Sequence, residues 1–299
     1  MDDVILSIDA GGTSVKFALL SHDTLEHVTK ETFYPMPSAG TKQELLQVFE
    51  SIFREAKDLS RQLSRKIAFV AFSVPGPFDC ENGISQMQHK WRALKDIPLR
   101  EEFSRMGVFP EDMRYTFIHD VHAFLVGEKF CGRAAACKNA AAIIIGTGLG
   151  FGLWCDDTLL FNETGGVRYS IFKSPWKDGI LEDYVSGRGV SAAYQRLTGE
   201  TCSAKDVAER AHSGDLAAMQ AFSEMGTILG QAVSGILQAH SVDGVVIGGR
   251  VSCSFDLFDR AFCEAAGAQE RNLTVYPSQM LEFAAMQGAA AWGKKLLNL

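Results

Sequence analysis

The chain has 299 residues, of which 46% are hydrophobic and 22% charged, and its formal net charge is −7. This is the composition of a globular protein large enough for two domains. The acidic balance and the lack of a basic stripe argue against nucleic-acid binding. No apolar run is long enough for a membrane span, and the N-terminus lacks the features of a signal peptide. We therefore expect a cytoplasmic protein whose seven cysteines, none of them in a CxxC pair, are reduced thiols.

The first part of the chain alternates between strand and helix patterns. Apolar residues at spacings of three and four predict a helix from Leu45 to Leu63, and Pro98 opens a second helix. Branched and apolar runs predict strands at residues 4–8, 15–20, 26–33, 67–73 and 115–118. The fourth of these strands is ended by Val74-Pro75-Gly76-Pro77, which no regular element can span.

A similar order of elements begins again after residue 120. The pattern predicts helices at residues 121–130, 204–212, 216–240 and 283–296, and strands at 141–145, 151–154 and 244–247. A strand, a glycine turn and another strand thus occur twice, following Asp9 and following Ile145. We interpret the chain as two related α/β halves with a cleft between them, where ligands usually bind.

Both glycine turns point to phosphate binding, since consecutive glycines let backbone N–H groups approach an anion. A P-loop or a dinucleotide fingerprint must open a helix, but Gly11-Gly12 is followed by the strand pattern 15–20. In the second turn, Phe151 stands where the dinucleotide fingerprint needs glycine. The turns are therefore interpreted as hairpins that hold a nucleoside triphosphate, with Asp9 placed to hold Mg²⁺ through water. The alternative is a pair of tight turns with an incidental carboxylate.

Six motifs in order resemble the ROK family (repressor, open reading frame, kinase) of the actin/hexokinase/Hsp70 superfamily. They are Asp9-x-Gly-Gly-Thr-x-x-Lys16, Val74-Pro75-Gly76-Pro77, His119-Asp120-x-x-x-Ala-x-x-x-Gly127-Glu128, Gly146-Thr147-Gly148-x-Gly150, Leu181-Glu182-x-Tyr184-x-Ser186-Gly187 and Ile247-Gly248-Gly249. Gly288-Ala289-Ala290 is similar to the family's closing helix. The resemblance implies an α/β, two-lobed, actin-like ATPase (ribonuclease H-like) fold with an interlobe cleft. The N-terminal lobe would comprise residues 1–120 and 284–299, and the C-terminal lobe residues 121–283.

The resemblance also implies a role for individual residues. Asp120 matches the catalytic base, and Asp9 lies near Mg²⁺. The implied ATP contacts are Gly11, Gly12, Thr13 and Lys16 on the first turn, Thr147 and Gly148 on the second, and Gly248 and Gly249 at the adenosine. The implied sugar contacts, besides Asp120, are Gly76, His119, Glu163 and Glu182. Carboxylates suit a polyol, because each accepts several hydrogen bonds from hydroxyl groups.

The sequence departs from the family pattern at positions that match the family's sugar contacts. Gly166 stands where the family commonly has a sugar-contacting histidine, and His119 replaces the usual asparagine. Trp91 fits the family pattern, but the asparagine expected in the same loop is not evident. The zinc-binding cysteine cluster of many members is also missing, so we expect no structural zinc. His119 and His122 alone are too few ligands for a metal site.

We therefore expect an ATP-dependent, Mg²⁺-requiring hexose or hexosamine kinase, whose partner is a small sugar and not a nucleic acid or a membrane. Homodimers are common in the family. The alternative is a non-catalytic, sugar-responsive regulator or binding protein of the same fold. Repressors of the family carry a DNA-binding extension before the first motif, for which the eight residues ahead of Asp9 leave no room. A dehydratase activator of the superfamily would need cysteines for an iron–sulfur cluster, and no paired motif supports one.

Overall fold

The structure, a computed structural model, describes residues 3–163, 165–280 and 283–299. Its elements are numbered in chain order. The strands are β1 (Val4–Ala10), β2 (Ser14–Ser21), β3 (Thr32–Pro35), β4 (Ile67–Val74), β5 (Phe78–Asp79), β6 (Ile84–Ser85), β7 (Tyr115–His119), β8 (Ala140–Ile145), β9 (Leu149–Cys155), β10 (Thr158–Leu159), β11 (Pro175–Trp176), β12 (Gly179–Ile180), β13 (Gly244–Gly248) and β14 (Thr274–Pro277). The α-helices are α1 (Lys42–Gln62), α2 (Leu99–Arg105), α3 (Asp120–Cys131), α4 (Leu181–Tyr184), α5 (Gly187–Thr198), α6 (Ala204–His212), α7 (Leu216–Ala239), α8 (Asp259–Ala266) and α9 (Phe283–Leu297).

The chain forms two compact units. Unit 1 comprises Met1–Cys131, Phe161–Gly166 and Glu282–Leu299, and unit 2 comprises Gly132–Leu160 and Val167–Leu281. Each unit is built on a five-stranded sheet, in the order β3-β2-β1-β4-β7 in unit 1 and β10-β9-β8-β13-β14 in unit 2. In both sheets the three strands at one side pair in parallel, and the other two are added by antiparallel pairings. The two sheets therefore share one topology, which is the repetition that the sequence indicates.

One face of the unit 1 sheet packs against α1 through aromatic side chains. Thr41 caps this helix in a capping box with Glu44, which satisfies backbone donors that a helix start leaves free. The ring of Phe53 in α1 lies 5.1 Å from that of Phe103 in α2, and Phe103 stacks on Phe72 of β4 at 5.3 Å. These fully buried rings hold α1 and α2 against β4, which lies between β1 and β7 in the sheet.

The other face of the unit 1 sheet packs against α9, which in turn packs on α3. Ser7 of β1 donates a hydrogen bond of 2.7 Å to the Met286 carbonyl oxygen. A Cβ on Gly293 would lie 2.8 Å from Thr116 Oγ1, so α9 approaches the sheet closely at this glycine. Helix α3 thus belongs to a layer that covers the sheet.

In unit 2, the helices cover the sheet with a core of aliphatic and aromatic side chains. Helix α7 crosses α8 at two glycines: a Cβ on Gly226 or Gly230 would lie 2.6 Å from the carbonyl oxygen of Phe258 or Phe262, respectively. Phe258 and Phe262 are fully buried in this core. Such close approach needs residues without a side chain.

The elements that the sequence predicts are present in the structure, but the bounds of one strand differ and several elements were missed. The third strand covers Thr32–Pro35 and not residues 26–33, because residues 22–31 form turns and bridges. The elements that were not predicted are helices α4, α5 and α8 and strands β5, β6, β10, β11, β12 and β14. The start of helix α5, Ser186-Gly187-Arg188-Gly189, contains a serine and two glycines, and these residues hide its helical pattern. Among the described residues, no helix is both long and apolar enough to cross a membrane.

Candidate active site

The first glycine turn connects β1 to β2 as a hairpin. The strands are paired from Val4 with Ser21 up to Ala10 with Val15, so the turn is short and the following chain is a strand, as predicted. A Cβ on Gly11 would lie 2.7 Å from the Ser14 carbonyl oxygen, which is closer than side chains approach. Met36 donates a backbone hydrogen bond of 2.9 Å to Thr13 and thereby fixes the far side of the turn.

Asp9 lies beside this turn, in a row of polar residues across three strands. It is paired in register with Lys16 of β2 and with Ser73 of β4. Ser73 Oγ donates a 3.0 Å hydrogen bond to Asp9 Oδ1, and Lys16 Nζ lies 3.9 Å from Oδ2. The Asp9 side chain is 24% exposed, so the carboxylate is oriented and still accessible to water. An oriented, accessible carboxylate fits Mg²⁺ held through its water ligands.

Asp120 lies two strands away, where β7 ends and α3 begins. The Val121 amide donates a 2.7 Å hydrogen bond to Asp120 Oδ1. Asp120 is exposed, but the surrounding protein removes enough hydration to raise the pKa of its carboxyl, while the Val121 amide and the charge of Lys90 lower it. A carboxylate of raised pKa holds a proton more readily, which suits a general base.

His119 is buried beneath the Val74–Pro77 segment. A Cβ on Gly76 would lie 3.4 Å from His119 Nδ1, and the ring bonds to the Phe78 backbone. Burial lowers the pKa of His119, so the ring is neutral near pH 7. His119 and Gly76 are therefore in contact, although the sequence places them far apart.

His122 is fully buried, in the first turn of α3. Neither of its ring nitrogens has a hydrogen-bond partner within the part of the chain that the structure describes. Its ring lies 5.0 Å from that of Phe161 and 6.2 Å from that of His119, and burial lowers its pKa to about 3. No group of three or more His, Cys, Asp or Glu side chains suited to a metal occurs within the described ranges.

In unit 2, the second glycine turn connects β8 to β9. The Gly146 amide bonds to the Gly148 carbonyl oxygen at 3.0 Å, and Thr147 at the tip is exposed. Glu182 braces this turn, since its Oε2 accepts a 2.9 Å hydrogen bond from the Leu149 amide. A Cβ on Gly148 would lie 2.9 Å from the same oxygen. No local pattern indicates this contact, because it joins residues far apart in the chain.

The third glycine pair lies against the second turn. Gly249 has φ of 84°, and a Cβ at this position would collide with the carbonyl oxygen of Ile145, the last residue of β8. Ser252 Oγ donates a 2.7 Å hydrogen bond to the Gly249 carbonyl oxygen. The fold thus brings Gly248-Gly249 beside Thr147 and Gly148 at one edge of the unit 2 sheet, because β8 and β13 are parallel neighbours.

Glu163 belongs to a short turn assigned to unit 1. Gly166 closes that turn by donating a 2.8 Å hydrogen bond to Asn162 Oδ1, and its carbonyl oxygen accepts from the Asn162 amide. Glu163 itself is exposed. A Cβ on Gly166 would lie 3.0 Å from Asn162 Nδ2, so a larger residue there would alter the turn.

A depression of about 1120 Å³ occurs elsewhere on unit 2. It is lined mainly by α7 and α8, together with Trp176 and Lys177. None of the predicted site residues lines it. The predicted site instead comprises the ends of strands and their glycine turns.

The glycine hairpins, the row at Asp9 and the strand-end Asp120 agree with one family. The model of that family matches residues 5–170 and 174–296. The chain belongs to the ROK family. The match covers both units, including the segments that carry Asp9, Asp120, Gly148 and Gly249.

The curated proteins that are similar to this ROK protein include two kinds of sugar kinase. The glucokinase of Thermotoga maritima is 26% identical over 276 residues, which are 83% of this chain and 82% of that protein. The N-acetyl-D-glucosamine kinase of Haemophilus influenzae is 22% identical over 86% of this chain and 87% of its own.

A solved ROK structure shows the same fold. The ROK family glucokinase from Streptomyces griseus, in complex with glucose and AMPPNP, superposes with a TM-score of 0.76 at 17% identity. The superposition covers 97% of this chain and 98% of that chain. The predicted α/β fold of the actin-like ATPase type is confirmed.

Proposed function

We propose that this ROK protein is an ATP-dependent kinase that phosphorylates a hydroxyl group of a hexose or hexosamine, with Asp120 as the general base. The supporting observation is the position of two carboxylates at one edge of the unit 1 sheet. Strands β1, β4 and β7 are parallel, so Asp9 and Asp120 both lie at carboxyl ends. Two strand spacings, or about 10 Å, separate β1 from β7. That span accommodates a metal-bound phosphate chain next to an acceptor hydroxyl.

Each carboxylate has a separate task in this proposal. Asp9 holds Mg²⁺ through water beside the turn that carries Gly11, Gly12 and Thr13, and Mg²⁺ would neutralise charge on the phosphates. Asp120 accepts the proton of the sugar hydroxyl as the new O–P bond forms. Phosphoryl transfer depends mainly on such positioning and charge stabilisation.

The remaining ATP contacts are proposed for three groups of residues. Lys16 supports the phosphates from β2. Thr147 and Gly148 bind phosphate through the second turn, and Gly248 and Gly249 line the adenosine. The contact between Gly249 and the end of β8 supports this assignment, because it places both glycine segments at one edge of unit 2.

The sugar contacts are proposed for Gly76, His119, Glu163 and Glu182 together with Asp120. The burial of His119 against Gly76 gives a neutral ring at the end of β7, in place of the family's asparagine. The kinases named among the relatives act on glucose and on N-acetyl-D-glucosamine, which supports a hexose or hexosamine acceptor.

The test is ADP release with Mg²⁺-ATP across a panel of hexoses, ketohexoses and N-acetylated amino sugars. A kinase releases ADP only with the correct sugar, and the product is a sugar phosphate identified by mass spectrometry. A sugar-responsive regulator would bind a sugar by calorimetry but release no ADP. ATP hydrolysis that is independent of sugar and survives Asp120→Asn would contradict the role of Asp120.

A further inference from the structure

Lys90 lies against the first glycine turn. Its Cγ, Cδ and Cε atoms lie 3.3, 2.6 and 2.9 Å from the point where a Cβ on Gly12 would be. The stem of the lysine therefore occupies the space that the missing side chain leaves open. The glycine at position 12 permits this approach, in addition to giving the turn its flexibility.

The residue after Lys90 fixes the backbone from which the lysine extends. Trp91 is fully buried, with its ring edge-on to Phe49 of α1 at 5.6 Å. Its φ of 50° turns the chain sharply, and Leu94 donates a 2.7 Å hydrogen bond to its carbonyl oxygen. Lys90 itself is exposed, and no carboxylate of the described residues forms an ion pair with it. Its ammonium group therefore keeps its donors for a ligand.

The charge of Lys90 acts on Asp120. It lowers the pKa of that carboxyl, against the raising effect of lost hydration. The stem of Lys90 thus lies on the turn that is proposed to bind phosphate, and its charge lies within reach of Asp120, the proposed base. In phosphoryl transfer, negative charge is spread over the three equatorial oxygens of the group that passes between these two places.

We propose that Lys90 is a catalytic residue, whose ammonium group donates hydrogen bonds to the transferred γ-phosphoryl group. This inference rests on the proposed function. The sugar oxygen forms a bond to the γ-phosphorus, the bond from that phosphorus to the β–γ bridging oxygen breaks, and ADP leaves with the electron pair. The hydroxyl proton passes to Asp120. Lys90 keeps its proton throughout and neutralises charge on the moving group.

The experiment compares Lys90→Met with Lys90→Arg and with the control Lys95→Met, which alters an exposed lysine paired with Asp96. Calorimetry with Mg²⁺ measures the affinities for AMPPNP and for ADP, which lacks the γ-phosphate. We expect Lys90→Met to weaken AMPPNP roughly tenfold and ADP hardly at all, since a charge-assisted hydrogen bond has about that effect. Lys90→Arg should retain most of the preference for AMPPNP over ADP, and Lys95→Met should retain all of it. In sugar phosphorylation, Lys90→Met should lose roughly a hundredfold or more in kcat.

The outcomes separate this inference from the proposed function. An unchanged ratio of AMPPNP to ADP affinity in Lys90→Met would overturn the role of Lys90, while sugar phosphorylation by the wild-type protein would still stand. A changed ratio in a protein that phosphorylates no sugar would overturn the proposed acceptor and leave the γ-phosphate contact in place. An equal loss of AMPPNP affinity in Lys90→Met and Lys95→Met would also contradict the proposal. Thermal unfolding of each variant shows whether the turn is intact.

Discussion

Gly127 of α3 and Gly288 of α9 lie back to back where the two helices cross. A Cβ on Gly288 would lie 2.6 Å from the Gly127 amide nitrogen and would collide with the Ala123 carbonyl oxygen. A Cβ on Gly127 would collide with the Ala284 carbonyl oxygen. The crossing therefore depends on glycine in both helices, and α3, which begins at Asp120, is held in place by α9.

Gly288→Ala should therefore destabilise unit 1. The added methyl group meets backbone atoms, which cannot move aside as a side chain can, and such overpacking costs about 1–3 kcal/mol. Urea unfolding should show a lower midpoint. Gly235→Ala in α7 is the control, because no atom lies within 4 Å of its Cβ position. It should stabilise the helix by up to about 1 kcal/mol. Equal stability of the two variants would contradict the close crossing.

Asp120→Asn should abolish most sugar-dependent ADP release. The amide has nearly the shape of the carboxyl but cannot accept the proton, a loss of roughly 10²–10⁴ in kcat. Affinity for Mg²⁺-AMPPNP should stay within about twofold, since no nucleotide contact is assigned to Asp120.

The pH profile of the wild-type protein gives a second measure of Asp120. The base must be deprotonated, so kcat falls as the pH falls through the pKa of Asp120. Because lost hydration raises that pKa, the fall should begin at a higher pH than for an ordinary aspartate. In Lys90→Met the fall in kcat should begin at a still higher pH, because the variant lacks the charge that lowers the pKa of Asp120. A profile identical in both proteins would contradict the coupling.

Glu182→Ala and Glu163→Ala should differ in which KM they change. Removal of Glu182 leaves the Leu149 amide without its acceptor and loosens the second turn, so the KM for ATP should rise several-fold in addition to the KM for the sugar. Glu163 is exposed and is assigned to the sugar alone, so its removal should raise only the KM for the sugar. Steady-state kinetics with each substrate varied distinguishes the two. A rise in the sugar KM alone for Glu182→Ala would contradict the bracing role.

Gly249→Ala should weaken nucleotide binding and lower the melting temperature. Its positive φ strains any residue with a side chain, and the methyl group would meet the backbone of Ile145. We expect a loss of about 1–3 kcal/mol in the free energy of unfolding. Gly146→Ala is the comparison, because no atom lies within 4 Å of its Cβ position. Its melting temperature should be close to that of the wild-type protein.

The free energy of unfolding should decrease as the pH falls from about 6.5. His122 has a pKa of about 3 when folded, because it is buried and near His119, whereas an unfolded histidine has its ordinary value near 6.5. Between these values the unfolded chain binds a proton that the folded chain does not, at up to about 1.4 kcal/mol per pH unit. The contribution of His122 to the stability is therefore present above pH 6.5 and is lost as the pH falls below it.

His122→Leu tests this assignment. Urea unfolding at several pH values should show a shallower decrease than in the wild-type protein. His212→Leu, which replaces an exposed histidine paired with Asp256, should keep the wild-type slope. Carboxylates also titrate at low pH, and His122→Leu leaves all of them in place. An unchanged slope in His122→Leu would contradict the assignment.

Much of the fold could be predicted because it depends on local patterns. Branched runs beside glycine pairs identified β1, β2, β8 and β13, and the 3.6-residue period identified α1 and α7. Helix α5 could not be found this way, because its first residues are glycines with poor helix propensity. It is held by capping from Ser186 and by the hydrogen bond from the Gly187 amide to Gly146.

The sequence by itself determined the family, the repeated strand–turn–strand plan and the residue types of the candidate site. These are properties of neighbours in the chain, where spacing decides which residues can share a turn or a face. Only the tertiary structure decided that Glu182 braces the second turn, that Gly249 lies against Ile145 and that Lys90 lies over Gly12. Such contacts depend on how strands are ordered and how closely backbones approach, and no local preference specifies either of these.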